Sequence, residues 1–212
     1  MQHDFNERRP YNAVSDFVDA NVARGLGRKV AFIDPDRSLS YGDLQTRSIR
    51  FANALRSLGV EHEQRVALLL NDTVDYPVAF WGVIRVGAVA IPLNTYLPLP
   101  QYAYILGDCR ATTLVVAAPL AQSLSIVIDE LPRLKNVVVV DGQSEATHLH
   151  SRKTVHVFEE LVAGSDSTAF TADTLSDEVA FWLYTSGSTG DPKGVKHVRP
   201  GNLPPCRTRG AR

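Results

Sequence analysis

Residues Val179–Val195 read VAFWLYTSGSTGDPKGV, a short apolar run followed at once by a segment dense in glycine and hydroxyl side chains. Val179 to Tyr184 has the length and continuous apolar character of a strand covered on both faces, as parallel strands in α/β proteins are. The ten residues after it, Thr185 to Gly194, hold four hydroxyls, three glycines and one lysine. Glycine lets the backbone take positive φ and come close to an anion with its N–H groups exposed, hydroxyls add donors, and an ammonium supplies a compact positive charge. Such a loop suits phosphate. It is not a Walker A motif, because Lys193 precedes its glycine and follows Pro192. On composition alone, a flexible linker or a hairpin turn stays open beside the phosphate reading.

Upstream, apolar strands and helix-period segments alternate. Val14, Phe17, Val18 and Val22 fall on one helical face that Gly25 and Gly27 close, and Val30–Ile33 reads as a strand. Asp34, Asp36 and Arg37 read as a hairpin turn. Ser40 and Asp43 form a capping box for a helix whose Leu44, Ser48, Phe51, Leu55 and Leu58 share a face, with Gly59 as the residue that ends it. The alternation continues with a strand at Val66–Leu70, a helix at Thr73–Val86 and a strand at Ala88–Ile91. Then come a helix at Gln101–Leu106, a strand at Thr112–Ala117, a helix at Ala121–Leu131, a strand at Val137–Val140 and a small element at Thr154–Val162. Strands and helices alternating at this spacing predict an α/β fold, a parallel sheet with helices on both faces. Phe80, Trp81 and Trp182 are expected in the core.

Composition narrows the partners. With 22 basic and 23 acidic residues the chain has no overall field to draw it to nucleic acid or an anionic membrane, and no apolar run approaches a membrane span. Cys109 and Cys206 have neither CxxC nor Cys/His spacing, so a metal site and a disulfide framework are not expected, and a cytoplasmic address is. A small-molecule ligand fits best.

The string Tyr184–Val195 resembles the signature loop of the adenylate-forming, AMP-binding superfamily of acyl-CoA synthetases, luciferases and peptide-synthetase adenylation domains. Pro10 to Gly25 (PYNAVSDFVDANVARG), Asp72 to Leu97 (DTVDYPVAFWGVIRVGAVAIPLNTYL) and Phe181 to Gly194 look most like benzoate-CoA ligases and their hydroxy- or aminobenzoate relatives. The resemblance implies a partial AMP-binding domain over residues 1–197. It also implies an ATP-dependent, AMP-forming carboxylate-CoA ligase that takes a small aromatic carboxylate, ATP with Mg²⁺, and CoA. Carried onto this sequence, Thr185, Ser186, Ser188, Thr189 and Lys193 hold the β- and γ-phosphates, while Gly187, Gly190 and Gly194 shape the loop. Asp191 is expected to be an exposed turn residue and His197 a surface histidine.

From Lys196 onward the likeness fades, and residues 198–212 read as a basic, Pro/Arg-rich tail outside the family pattern, unsuited to a regular buried element. The family's acid pocket, adenine and ribose motifs, hinge and catalytic lysine are expected beyond residue 212, so no catalytic residue and no metal ligand is assigned here. The chain alone is expected to be inactive as a ligase. An adenylation domain that loads a carrier protein and a non-catalytic nucleotide-binding fragment are the alternative readings. A fragment of such a domain should leave apolar faces uncovered, so the isolated chain should enhance the fluorescence of a hydrophobic dye; a sharp reversible melt with no dye binding is the contrary result.

Overall fold

The computed structural model describes residues 9–142, 149, 151–185 and 191–198. Two π-helical turns, Ser15–Asp19 and Val22–Leu26, bury Val14 and Val18 and leave Phe17 half exposed. Gly25, at φ 84°, turns the chain out of them. A hairpin follows, β1 (Val30–Ile33) and β2 (Ser38–Ser40), and its turn is the one expected: the Asp34 amide donates to the Arg37 carbonyl, and Asp34 Oδ1 accepts from the Asp36 and Arg37 amides.

Helix α1 (Tyr41–Ser57) starts and stops where its sequence dictates. The Asp43 amide donates to Ser40 Oγ at 3.1 Å, so the cap forms. At the other end Gly59, with φ 77°, donates to the Arg56 carbonyl and Val60 to that of Leu55, the paired bonds of a Schellman motif. Leu44, Phe51, Ala52 and Leu55 face inward. Helix α2 (Asp75–Arg85) has no side-chain cap of its own at Val74, but Asp34 Oδ2 reaches across from the hairpin and accepts the Val74 amide at 2.9 Å.

The remaining elements are β3 (Arg65–Leu69), β4 (Val89–Pro92), α3 (Leu99–Asp108), β5 (Thr113–Ala117), α4 (Ala118–Ser123), α5 (Ser125–Glu130), β6 (Asn136–Val140), β7 (Thr154–Val157), α6 (Phe158–Gly164), β8 (Val179–Thr185) and β9 (Lys193–Val198). The main sheet runs β7-β6-β5-β3-β4-β8-β9, with every neighbouring pair parallel except β8 and β9, which are antiparallel. The expected doubly covered sheet is therefore present. Val66 and Leu68 of β3 pack with α1, α2 and α6 on one face, while Ala67 and Leu69 pack with α3, α4 and α5 on the other. Alternate residues serving two cores explain why these strands are apolar after their first residues, Arg65, Thr113 and Asn136, and why β5 and β6 are buried at every position.

One expectation changes. The helix read over 121–131 is two short helices that meet at Leu124, whose φ of −95° and ψ of 2° break the α geometry. Lys196 to Val198 form the second half of β9, an exposed edge strand opposite Trp182 to Val179. Among the described residues no helix is long and apolar enough to cross a membrane.

The tightest helix contact lies between α1 and α2. A Cβ on Gly82 would sit 2.7 Å from Phe51 Cδ1 and 3.3 Å from the Ser48 carbonyl oxygen, so the glycine sets how closely the two helices approach. Gly82→Val should lower stability by about 1–3 kcal/mol in urea melts through overpacking. Gly107→Ala, on α3 with open space around it, should leave the midpoint unchanged or raise it.

Candidate functional site

Strands β3 to β8 are parallel, so the turn after β8 opens at the same sheet edge as every strand-to-helix connection. Doubly wound sheets bind ligands outside that carboxyl edge, commonly where strand order reverses. Here the order reverses between β3 and β5. Around the carboxyl ends of β3 and β6 the charged groups are already committed to one another. Asp75, fully buried at the start of α2, accepts Arg37 Nη2 at 2.7 Å and Arg47 Nη2 at 2.7 Å, and Arg47 also pairs with Glu159 at 2.7 Å. Asp34 keeps its carboxyl below the usual range, chiefly through the Val74 amide, while burial pushes the Asp141 and Glu159 carboxyls up. This is a saturated ion network that ties the β1–β2 hairpin to the sheet.

The other opening at that edge is the tip of the β8–β9 hairpin. Thr185 pairs with Lys193 and Tyr184 with Gly194 across the antiparallel ladder. The irregular loop expected from Thr185 to Gly194 is thereby shortened at both ends, because these three positions are strand residues and the connection is 186–192. Ser186, Gly187, Ser188, Thr189 and Gly190 lie outside the described residues. Asp191 is exposed, as expected for a turn.

Pleating gives the hairpin two unlike faces. On one, Phe181 and His197 stack with centroids 4.5 Å apart at 7°, and the directly opposed Thr185 and Lys193 belong to the same alternation. Side chains opposed in this way have Cβ atoms about 4.5–5.5 Å apart, so a hydroxyl and an ammonium flank the base of the tip on a single face. His197, expected at the surface, is instead part-buried in that stack. On the other face Lys196 places its ammonium 5.2 Å from the Trp182 ring and is thus engaged with an aromatic. Lys193 has no such commitment and makes no ion pair among the described residues.

Gly194 lies in the regular ladder, where it makes room for a neighbouring ring. A Cβ there would lie 3.1 Å from Tyr184 Cζ and 3.3 Å from its hydroxyl oxygen, so the tyrosine ring lies directly over the glycine. The phenol donates to Asp108 Oδ2, at the end of α3, at 2.6 Å, and burial first and that bond second hold it protonated well above the ordinary tyrosine range. Neither Tyr184 nor Asp108 stands out as a site residue in the sequence, since their proximity depends on strand pairing across 76 positions.

Phe80 and Trp81, expected in the core, are only half buried. They meet edge to face at 5.3 Å and, with Phe32, Tyr76 and Pro77, line an apolar cleft of about 310 Å³ beside α2. Cys109 is fully buried and its thiol is pushed up to about 11 by desolvation, which suits an inert packing residue. Among the described residues no three His, Cys, Asp or Glu side chains cluster as metal ligands.

Gly194→Val should push the Tyr184 ring off the strand and cost about 1–3 kcal/mol in urea melts. Gly164→Ala, at the open end of α6, is the control and should have little effect.

Comparison with known proteins agrees with this arrangement. Residues 19–203 match the family model described as AMP-binding enzyme. The chain is 44% identical over 190 residues to the 4-hydroxybenzoate–CoA/benzoate–CoA ligase of Rhodopseudomonas palustris, covering 90% of this chain and 34% of that protein. It is 35% identical over 189 residues to the benzoate–CoA ligase of Thauera aromatica, covering 89% and 34% respectively. The crystal structure of the anthranilate CoA ligase AuaEII in complex with anthranoyl-AMP superposes with a TM-score of 0.82 at 29% identity, over 90% of this chain and 35% of that one. The chain thus spans about a third of the length of the relatives it matches. On the family match, the sheet order and the hairpin together, the chain belongs to the AMP-binding enzyme family.

Proposed function

We propose that this chain is the amino-terminal, polyphosphate-gripping part of an aryl-CoA ligase. The observation that carries the reading is the opposed pair Thr185–Lys193, which sets a hydroxyl and an uncommitted ammonium at the base of a hydroxyl- and glycine-rich tip, at the sheet edge where ligands bind. Thr185, Ser186, Ser188, Thr189 and Lys193 donate to the β- and γ-phosphates of ATP, with Gly187 and Gly190 opening the backbone amides to them. Gly194 contributes by seating Tyr184, not by touching the anion.

In the full-length protein a carboxylate oxygen attacks the α-phosphorus, pyrophosphate leaves, and the CoA thiol then displaces AMP from the acyl-adenylate. The residues of this chain serve the first step, in which negative charge builds on the departing pyrophosphate and fixed donors lower the barrier. Mg²⁺ arrives with the nucleotide. The relatives named for benzoate and hydroxybenzoate support an aromatic carboxylate as substrate. In-line attack also requires the base, the ribose and the acceptor to be held in place, so a chain that grips only the polyphosphate gives binding without turnover.

Calorimetric titration of this chain with Mg·ATP should therefore show binding with no release of pyrophosphate. Lys193→Ala should weaken it by about tenfold or more, roughly 1.4 kcal/mol. An unchanged dissociation constant in Lys193→Ala, or wild-type chain that is folded but does not bind, would refute the assignment.

A further inference from the structure

Strand β8 is held to the rest of the sheet by parallel pairing with β4, with Ala90 opposite Phe181. That register brings Leu183 level with Pro92, the last residue of β4, so Tyr184 and Thr185 lie past the end of that strand and are paired with β9. Pro92 has no N–H to give at this position. Tyr184 and Thr185 therefore lie beyond the last residue of β4, and β9 beside them is an exposed edge. An antiparallel pair in that situation can slip or fray, and slipping by one residue would send Thr185 and Lys193 to opposite faces.

A side-chain hydrogen bond ties the overhang to the folded body. Helix α3 follows β4 and packs on the face that Trp182 and Tyr184 share, and its last residue, Asp108, accepts the Tyr184 phenol hydrogen at 2.6 Å. The same ring covers Gly194, so the tyrosine is in contact with both strands of the overhang and tied to the helix at once. Tyr104, one turn before Asp108 on α3, feels the charges of both Asp108 and Asp191, which brings the far side of the turn to the same helix end.

Resting on the phosphate-binding reading above, we propose that Asp108 is a positioning residue for the nucleotide grip: through Tyr184 and Gly194 it locks the β8–β9 register that keeps Thr185 and Lys193 on one face. Asp108 touches no substrate and acts only through the tyrosine.

The test compares the wild-type chain with Asp108→Ala, Tyr184→Phe, the double variant and Asp108→Asn, which keeps an acceptor oxygen in place. Asp108→Ala and Tyr184→Phe should each weaken Mg·ATP binding about fivefold, near 1 kcal/mol by the affinity relation, and the double variant should be no weaker than either alone. Asp108→Asn should bind as wild type. Amide hydrogen exchange at Lys193, Gly194 and Val195 should speed up in the same two single variants and not in Asp108→Asn, with the far-UV spectrum unchanged. Wild-type affinity in a folded Asp108→Ala, or additive losses in the double variant, overturns the proposal. If the wild-type chain fails to bind Mg·ATP, the phosphate reading falls by itself; the register lock is then judged on exchange alone, and unchanged exchange in Asp108→Ala and Tyr184→Phe overturns it.

Discussion

The in-register parallel ladder from β4 through β3 and β5 to β6 is the constraint on which the rest of the molecule depends. Parallel neighbours cannot be joined by tight turns, so each connection must cross a face of the sheet, and both faces end up covered. Covering both faces makes the central strands apolar beyond their first residues, and it brings all strand-to-helix turns to one edge. The position of the β8–β9 tip at that edge follows from β8 adding parallel to β4. Reversal of the chain at the tip then makes β9 antiparallel and closes the sheet at an exposed strand.

At the point where strand order reverses, the fold offers a crevice, yet its charges are spent on structure. Asp75 is wholly buried and its two arginines offset the desolvation of its carboxylate, which for a lone buried ion costs several kcal/mol. Arg37 comes from the β1–β2 turn and Arg47 from α1, so the network secures the hairpin and α1 against the start of α2. Arg85, buried at the other end of α2, does the same for the amino-terminal turns by pairing with Asp19 at 2.7 Å and donating to Thr171 Oγ1 at 2.9 Å. Each end of α2 is thus pinned by an arginine pair, whereas Lys193 at the base of the hairpin tip makes no ion pair among the described residues.

How much of this could be read from the sequence depends on the range of the interactions that decide each feature. The α1 cap and stop were legible because Ser40, Asp43 and Gly59 act within three or four residues. The strands were legible because burial on two faces leaves a continuous apolar run. The break at Leu124 was not, since no glycine or proline marks it and the two short helices are set by packing against the sheet. Neither was β9, whose charged, basic text gives no strand signal; it exists because Val195 and His197 find partners on β8. Phe80 and Trp81 pack against the core as read but stay half-buried, since an apolar helix face says which side is inward but not whether a second layer covers it.

The site shows the same division at finer scale. The hydroxyls, glycines and lysine of Thr185–Gly194 pointed to an anion by chemistry alone, but glycines serve two purposes that composition cannot separate. One is backbone freedom at a turn; the other is room for a neighbour's side chain. Gly194 is in a regular ladder and belongs to the second kind, because the Tyr184 ring occupies the space its Cβ would need. Aromatic cover of a strand glycine recovers packing that the glycine forgoes, and in doing so gives the strand pair a preferred register. A motif residue that seems to serve the ligand can thus serve the geometry that presents it. Lys193 and Lys196 divide likewise, one at the base of the tip and the other held over Trp182, although both are lysines on the same strand. What separates them is the two-residue period of the pleat relative to the three-position step from one to the other, which sends the two ammonium groups to opposite faces.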